Sequence, residues 1–175
     1  MTKMTVMTVI IAVLALAVLI VAFSAFAAQK KKAPQEFHVR KFRVQDGDSL
    51  IAPGNKHIRL LCIDAPEMEQ PHGVDAKRFL AELVKDGGVV FGKDTDQYGR
   101  LLAVVVVDAG GKQIIANHEM ISHGHAWVYR KFSDSCGLPE NRLYAMERKA
   151  RKAKRGLWRY QNPTPPWKWR YQNRQ

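Results

Sequence analysis

The strongest constraint on this 175-residue chain is a stretch without charge: from Met4 to Gln29 there is no Asp, Glu, Lys or Arg. A run of that kind does not belong on the surface of a small folded domain, and it is long enough to span a bilayer. It therefore divides the chain into an apolar leader and everything from Lys30 onward. Two readings fit residues 1–28. Lys3 before the run and Ala25-Phe26-Ala27 near its end match the pattern of a cleaved export signal. The run also exceeds the apolar core of an ordinary signal, which suits an uncleaved membrane anchor through residues 4–28. Charge leaves the orientation open, since Lys30, Lys31 and Lys32 follow the run and only Lys3 precedes it. The expectation is an exported domain, periplasmic or secreted, with anchorage as the alternative. The leader would then contact the membrane or the export machinery.

With the first 28 residues set aside, the apolar share drops from 46% to about 39%, still enough for a real core in one domain. No second long apolar run occurs, which excludes a polytopic membrane protein. Lys and Arg number 28 against 16 Asp and Glu, a formal charge of +12. Such an excess favours an anionic partner, nucleic acid or a lipid surface, without choosing between them. The two cysteines, Cys62 and Cys136, could pair in an oxidising compartment. Cys62 lies within Leu60-Leu61-Cys62-Ile63, however, and a buried free thiol is the expectation there.

Residues 29–36 read as a linker. Phe37 to Val44 reads as a half-buried strand of period two. Asp46-Gly47-Asp48 turns the chain, Ser49–Ala52 and His57–Ile63 follow as strands, and Pro53-Gly54-Asn55 turns between them. Ala76, Phe79, Leu80, Leu83 and Val84 share a helical face closed by Gly87-Gly88. Val89–Phe91 and Leu101–Val107 read as strands around the loop 94–100, and Gly110-Gly111 leads into Gln113–Ile115. A short helix over 117–123 and a basic helix over 139–154, stopped by Gly156, complete the domain. Short connections and one inserted helix predict a mainly β, α+β fold: a five-stranded OB-type barrel with two to three helices. Residues 159–175, rich in Pro and Trp, read as an extended tail packed on the domain.

Three polar clusters interrupt this pattern. Asp46-Gly47-Asp48 is one, and Asp94-Thr95-Asp96-Gln97-Tyr98-Gly99-Arg100 is another. The third is the strand-like Arg59 to Glu67, where Pro66 keeps Ala65 extended so that Asp64 and Glu67 leave the strand toward one region. Carboxylates with a backbone carbonyl are hard oxygen donors, suited to Ca²⁺ or Mg²⁺. Two arginines on separate segments can grip one phosphate, and a spare carboxylate can deprotonate a water. The inventory is that of phosphodiester hydrolysis.

These clusters give the chain its resemblance to a known family. Val44 to Ser49 reads V-x-D-G-D-S, Arg59 to Glu67 reads R-L-x-x-I-D-x-P-E, and Asp96 to Arg100 reads D-x-Y-G-R. With Gly73-x-x-Ala76 and Gly156-Leu157-Trp158 in support, residues 37–158 resemble the staphylococcal nuclease (thermonuclease) family. The resemblance implies a calcium-dependent nuclease acting on DNA and RNA, single strands preferred, with little sequence preference and 3′-phosphate ends. It implies that Asp48, Asp64 and the Ala65 carbonyl hold Ca²⁺, and that Glu67 is the general base. Arg59 and Arg100 would bind the phosphate, Asp46 would support the metal site, and Tyr98 and Tyr129 would line the substrate pocket. Ala65 stands where the family often carries threonine, and Gln97 where a lysine helps hold a terminal phosphate. A monomer is expected. The competing class is a non-catalytic, envelope-tethered nucleic-acid-binding OB module, which usually lacks these acids and arginines.

Two further features have plainer readings. His118, His123 and His125 lack the acid and thiol partners of a tight zinc site, and spacings of five and two at a helix end read as surface histidines. Glu140 to Arg159 carries eight Lys and Arg against two Glu, net +6, which reads as a solvated face able to attract a polyanion.

Overall fold

The alternation that begins at Phe37 slips by one residue between Val39 and Phe42, both of which are buried. A strand cannot keep both side chains on one face across that slip, so the chain bends at Arg40. The computed structural model describes residues 35–129 and 136–173, so the proposed signal or anchor lies outside the described residues. The expected single strand becomes β1 (Gln35–Val39) and β2 (Arg43–Val44), and two residues assigned to the linker join β1. After β3 (Ser49–Ala52) and β4 (Lys56–Leu60), a second break follows at Cys62, whose φ is +67°. The expected strand 57–63 therefore ends at Leu60, turns, and resumes as β5 (Ile63–Asp64).

The remaining elements are α1 (Gly73–Leu83), β6 (Gly88–Thr95), β7 (Leu101–Asp108), β8 (Gln113–Ile115), α2 (Ala116–Ser122), β9 (Trp127–Val128), α3 (Glu140–Lys152), a 3₁₀ turn Gly156–Arg159, and α4 (Pro166–Gln172). The strands form a curled sheet in the order β1-β6-β7-β4-β3-β2 with β8 beside β7, and β5 pairs β9 separately. This is the α+β, OB-like architecture expected, with more strands because the bends divide two of them. β7 is flanked by β6, β4 and β8, which explains its unbroken apolar run. Its pairing with β4 is parallel, made through the α1 crossover.

Leu50, Ile58, Leu80, Val105, Ile121 and Leu143 are fully buried and join the sheet to the inner faces of α1, α2 and α3. Removing one such side chain costs about 2–5 kcal/mol. At the centre, the completely buried Asn117 accepts the Val105 N–H at 3.1 Å and donates to the Leu61 and Ala103 carbonyls at 2.9 and 3.1 Å. It thereby ties α2 to the β4–β5 corner and to β7.

The Cys62 expectation is overturned. Cys62 and Cys136 form a disulfide, with Cα atoms 6.1 Å apart. Spacing alone could not show that the Cys62 corner lies against the segment entering α3. The histidines are also not a surface group. His118 is buried and its Nε2 donates to the Cys136 carbonyl at 2.8 Å, while the His125 ring stacks on Phe79 and bonds His72 at 3.0 Å. Only His123 is exposed.

The tail differs as well. Residues 166–172 are helical: Pro165 is extended and Pro166 occupies the first helical turn, where its missing N–H and fixed φ cost nothing. The tail does pack on the domain, as expected. Trp127 meets Trp158 and Trp167 edge-on at 5.2 and 6.4 Å, and Gln70 Nε2 donates to the Thr164 carbonyl.

Candidate active site

The sheet register alone brings three of the sequence clusters together. Ser49 pairs Arg59 across β3–β4, which puts Asp48 beside the end of β4, and the Leu60 N–H donates to the Asp48 carbonyl at 2.8 Å. Ile58 pairs Leu101 across β4–β7, so Arg100, one residue before β7, arrives next to Arg59. The left-handed corner at Cys62 then folds β5 back, delivering Asp64, Ala65 and Glu67 to the same mouth. Gly47 is required here, because a Cβ on it would stand 2.6 Å from the Ala65 Cβ and 2.9 Å from that of Ala76. Gly73 is required too, since a Cβ there would strike the Glu67 carbonyl. These contacts explain why the Gly73-x-x-Ala76 pattern accompanies the acid motifs.

The result is a cleft of about 680 Å³ lined by Asp46, Asp48, Arg59, Asp64, Ala65, Glu67, Tyr98, Arg100 and Tyr129, every residue singled out from the sequence. Arg59 sits at its centre: Nη1 pairs with Asp48 Oδ2 at 2.8 Å and Nη2 with Asp64 Oδ1 at 2.9 Å. Asp48 Oδ2 also accepts the Ala65 N–H at 2.7 Å, and Asp46 Oδ1 accepts the Asp48 N–H at 3.0 Å, holding the turn. Arg100 is fixed through its Nε by Asp96 at 2.8 Å, which leaves its terminal nitrogens outside that pair. Tyr98 is exposed with the Arg100 guanidinium 5.5 Å from its ring, and the Tyr129 N–H donates to the Cys62 carbonyl at 2.7 Å.

Two residues that hold this site had no role in the sequence reading: Asp96, named there only as the start of D-x-Y-G-R, and Arg170. Asp96 could have been found, because Asp four residues before Arg across a Gly turn is a closing pattern. Arg170 could not. It reaches in from α4 and places Nη2 2.8 Å and Nη1 3.3 Å from the two Asp64 carboxylate oxygens, with Nη1 2.6 Å from Glu67 Oε1. Nothing in the tail's composition aims that side chain.

Electrostatically, the mouth has an excess of buried acid. Burial pushes the Asp48 carboxyl up to about 7; Arg59 opposes this, and Asp46 and Asp64 reinforce it. A hard divalent cation would relieve that repulsion, and two carboxylates with a carbonyl are the donors such an ion takes, so the residues fit it. Among the described residues no three His, Cys, Asp or Glu side chains form a ready-made cage. A cation here would need oxygens from water or substrate.

An OB-like sheet carrying clustered acids and two arginines at one mouth defines a phosphodiester-cleaving hydrolase. Comparison with known proteins agrees. Residues 57–160 match the family described as "Staphylococcal nuclease homologue". A protein of Escherichia coli O157:H7 named "Uncharacterized endonuclease" is 35% identical over 78% of this chain and 86% of its own length. A "Micrococcal nuclease" of Shigella flexneri is 37% identical over 77% and 81%, and an "Uncharacterized endonuclease" of Haemophilus influenzae 38% over 77% and 74%. The chain belongs to the staphylococcal nuclease family and is a nuclease. The family match takes in Arg59, Asp64, Glu67, Arg100 and Tyr129, but begins after Asp48 and ends before α4.

Proposed function

We propose that this chain is an exported, calcium-dependent nuclease that hydrolyses DNA and RNA with little sequence preference and leaves 3′-phosphate ends. The observation that carries the reading is the convergence of Asp48, Asp64, Glu67, Arg59 and Arg100, from three separate segments, on one cleft. In this reading Asp48, Asp64 and the Ala65 carbonyl hold Ca²⁺, which when bound supplies positive charge to the phosphate. Asp46 supports them by fixing the Asp48 turn. Glu67 takes the proton from the attacking water. Arg59 and Arg100 bind the phosphate and meet the charge that grows on its oxygens in the transition state. Tyr98 and Tyr129 flank the bound strand. Such contacts address phosphate rather than base edges, which supports weak sequence preference, and a flexible single strand enters the cleft most easily.

Export is supported by the apolar leader and by the Cys62–Cys136 disulfide, since such bonds persist chiefly outside the reducing cytosol. Among the described residues no helix is long and apolar enough to cross a membrane, so anchorage, if present, rests on residues 4–28.

The test is digestion of end-labelled single- and double-stranded substrates with calcium or with chelator, followed by end-group analysis. Calcium-dependent cleavage leaving 3′-phosphates is expected, whereas 3′-hydroxyl ends would overturn the mechanism. Glu67→Gln and Arg100→Ala should each lower kcat by about a hundredfold to ten-thousandfold. Wild-type rates in both would remove these residues from the reaction.

A further inference from the structure

Asp64 has neither carboxylate oxygen to spare. Oδ1 receives Arg59 Nη2 at 2.9 Å and Arg170 Nη1 at 3.3 Å, and Oδ2 receives Arg170 Nη2 at 2.8 Å. Arg170 also holds Glu67 Oε1 at 2.6 Å. One guanidinium thus occupies a carboxylate assigned to the metal and the carboxylate assigned to the water. A cation approaching Asp64 therefore meets a guanidinium on each oxygen, and a water approaching Glu67 meets one on Oε1. The backbone of Arg59 is fixed in β4, between β3 and β7 in the sheet, so only its side chain can move. Arg170 is carried by a seven-residue helix near the chain's end. α4 is docked by the Gln70–Thr164 bond and the edge contact of Trp167 with Trp127. The Arg170 side chain is 42% exposed while that of Asp64 is 1% exposed, so water reaches the guanidinium with the fold intact. Burial disfavours the charge on Arg170, yet the bonds to Asp64 and Glu67 outweigh it and hold its pKa above the ordinary arginine value.

We propose that Arg170 is a built-in competitor of the divalent cation: α4 seats a guanidinium on Asp64 and Glu67, and calcium loads the site by displacing it. The inference rests on the functional reading above for the roles of Asp64 and Glu67. The competition is of like charge for the same oxygens. Binding one therefore weakens the other by the same factor, and couplings of this kind commonly amount to about 5- to 150-fold. α4 lies beyond the residues that match the family model.

The test is calorimetric titration of the full chain with calcium chloride, without nucleic acid. Arg170→Gln should bind calcium at least about fivefold more tightly than wild type. Trp167→Ala, which loosens the dock and leaves the arginine in place, should shift affinity in the same direction by less. Hydrogen exchange gives a second readout. Calcium should accelerate exchange of the α4 amides in wild type, and Arg170→Gln should exchange fast with or without it. Equal affinity in wild type and Arg170→Gln, no calcium binding to either, or α4 protection indifferent to calcium would each overturn the proposal. Because none of these measurements reads cleavage, failure of the competition is separable from failure of the nuclease reading, which the end-group digest decides.

Discussion

At the residue scale, burial governs which groups carry charge. His125, packed on Phe79 and bonded to His72, is pushed down to about 4, first by burial and then by His72 and His123. Burial likewise lowers His72 and His118. An unfolded histidine takes its proton near pH 6.5, so between about 4 and 6.5 the unfolded chain binds more protons than the folded one. The contribution is therefore complete above about pH 6.5 and is lost as pH falls toward 4. Thermal unfolding followed from pH 7 to 4.5 should show a falling midpoint, with a shallower fall in His125→Gln. Identical slopes would remove His125 from the account. None of this was legible in the sequence, where three histidines without the partners of a zinc site read as surface groups. The five central site residues were legible, because Asp48, Arg59, Asp64, Glu67 and Arg100 sit beside turn or strand-end signals that local chemistry writes plainly. Asn117 and Arg170 act through partners 12 to 106 positions away, and no local pattern encodes that.

At the element scale, the two misread strands share a cause. A phase slip at Arg40-Lys41 and a left-handed residue at Cys62 each divide a run that apolar content alone makes continuous. The second division is the one that matters for the site, since the corner turns Asp64 toward Asp48. The disulfide fastens that corner across a separation of 74 residues. In the chain-entropy picture, a loop of this length is worth about 4 kcal/mol. The double variant Cys62→Ser, Cys136→Ser should lose on the order of 2–5 kcal/mol in denaturant titration, and reductant should weaken wild type alone. A double variant as stable as wild type would contradict the role given to the bond. The tail helix was missed because three prolines suggest extension, whereas Pro166 stands at the one helical position that welcomes proline.

At the scale of the whole molecule, charge is unevenly distributed. Six of the sixteen acids line the cleft, while Arg142, Arg148, Lys149, Arg151, Lys152, Lys154 and Arg155 are all exposed on or just beyond α3. Of the two acids on α3, Glu140 stands in its first turn, and Glu147 is buried, where it accepts the Val128 N–H at 2.7 Å and fixes α3 to β9. A basic face of this kind binds polyanions by releasing their counterions. Affinity of the Glu67→Gln protein for a single-stranded oligonucleotide should fall by about fiftyfold between 50 and 200 mM salt if four phosphates are contacted. A salt-independent affinity would assign binding elsewhere.

The parallel pairing of β4 with β7 has a consequence for how such a protein is made. Ribosomes release the chain from its N-terminus, so Asp48, Asp64 and Glu67 emerge while Arg100 is still unsynthesised. β4 has β3 beside it but waits on Leu101–Ala103 for its second neighbour, and β5 waits on Trp127–Val128. A polypeptide interrupted before Arg100 lacks both that residue and the strand that lies parallel to β4. Assembly of the cleft is thus postponed by topology alone, until residues far along the chain have been made.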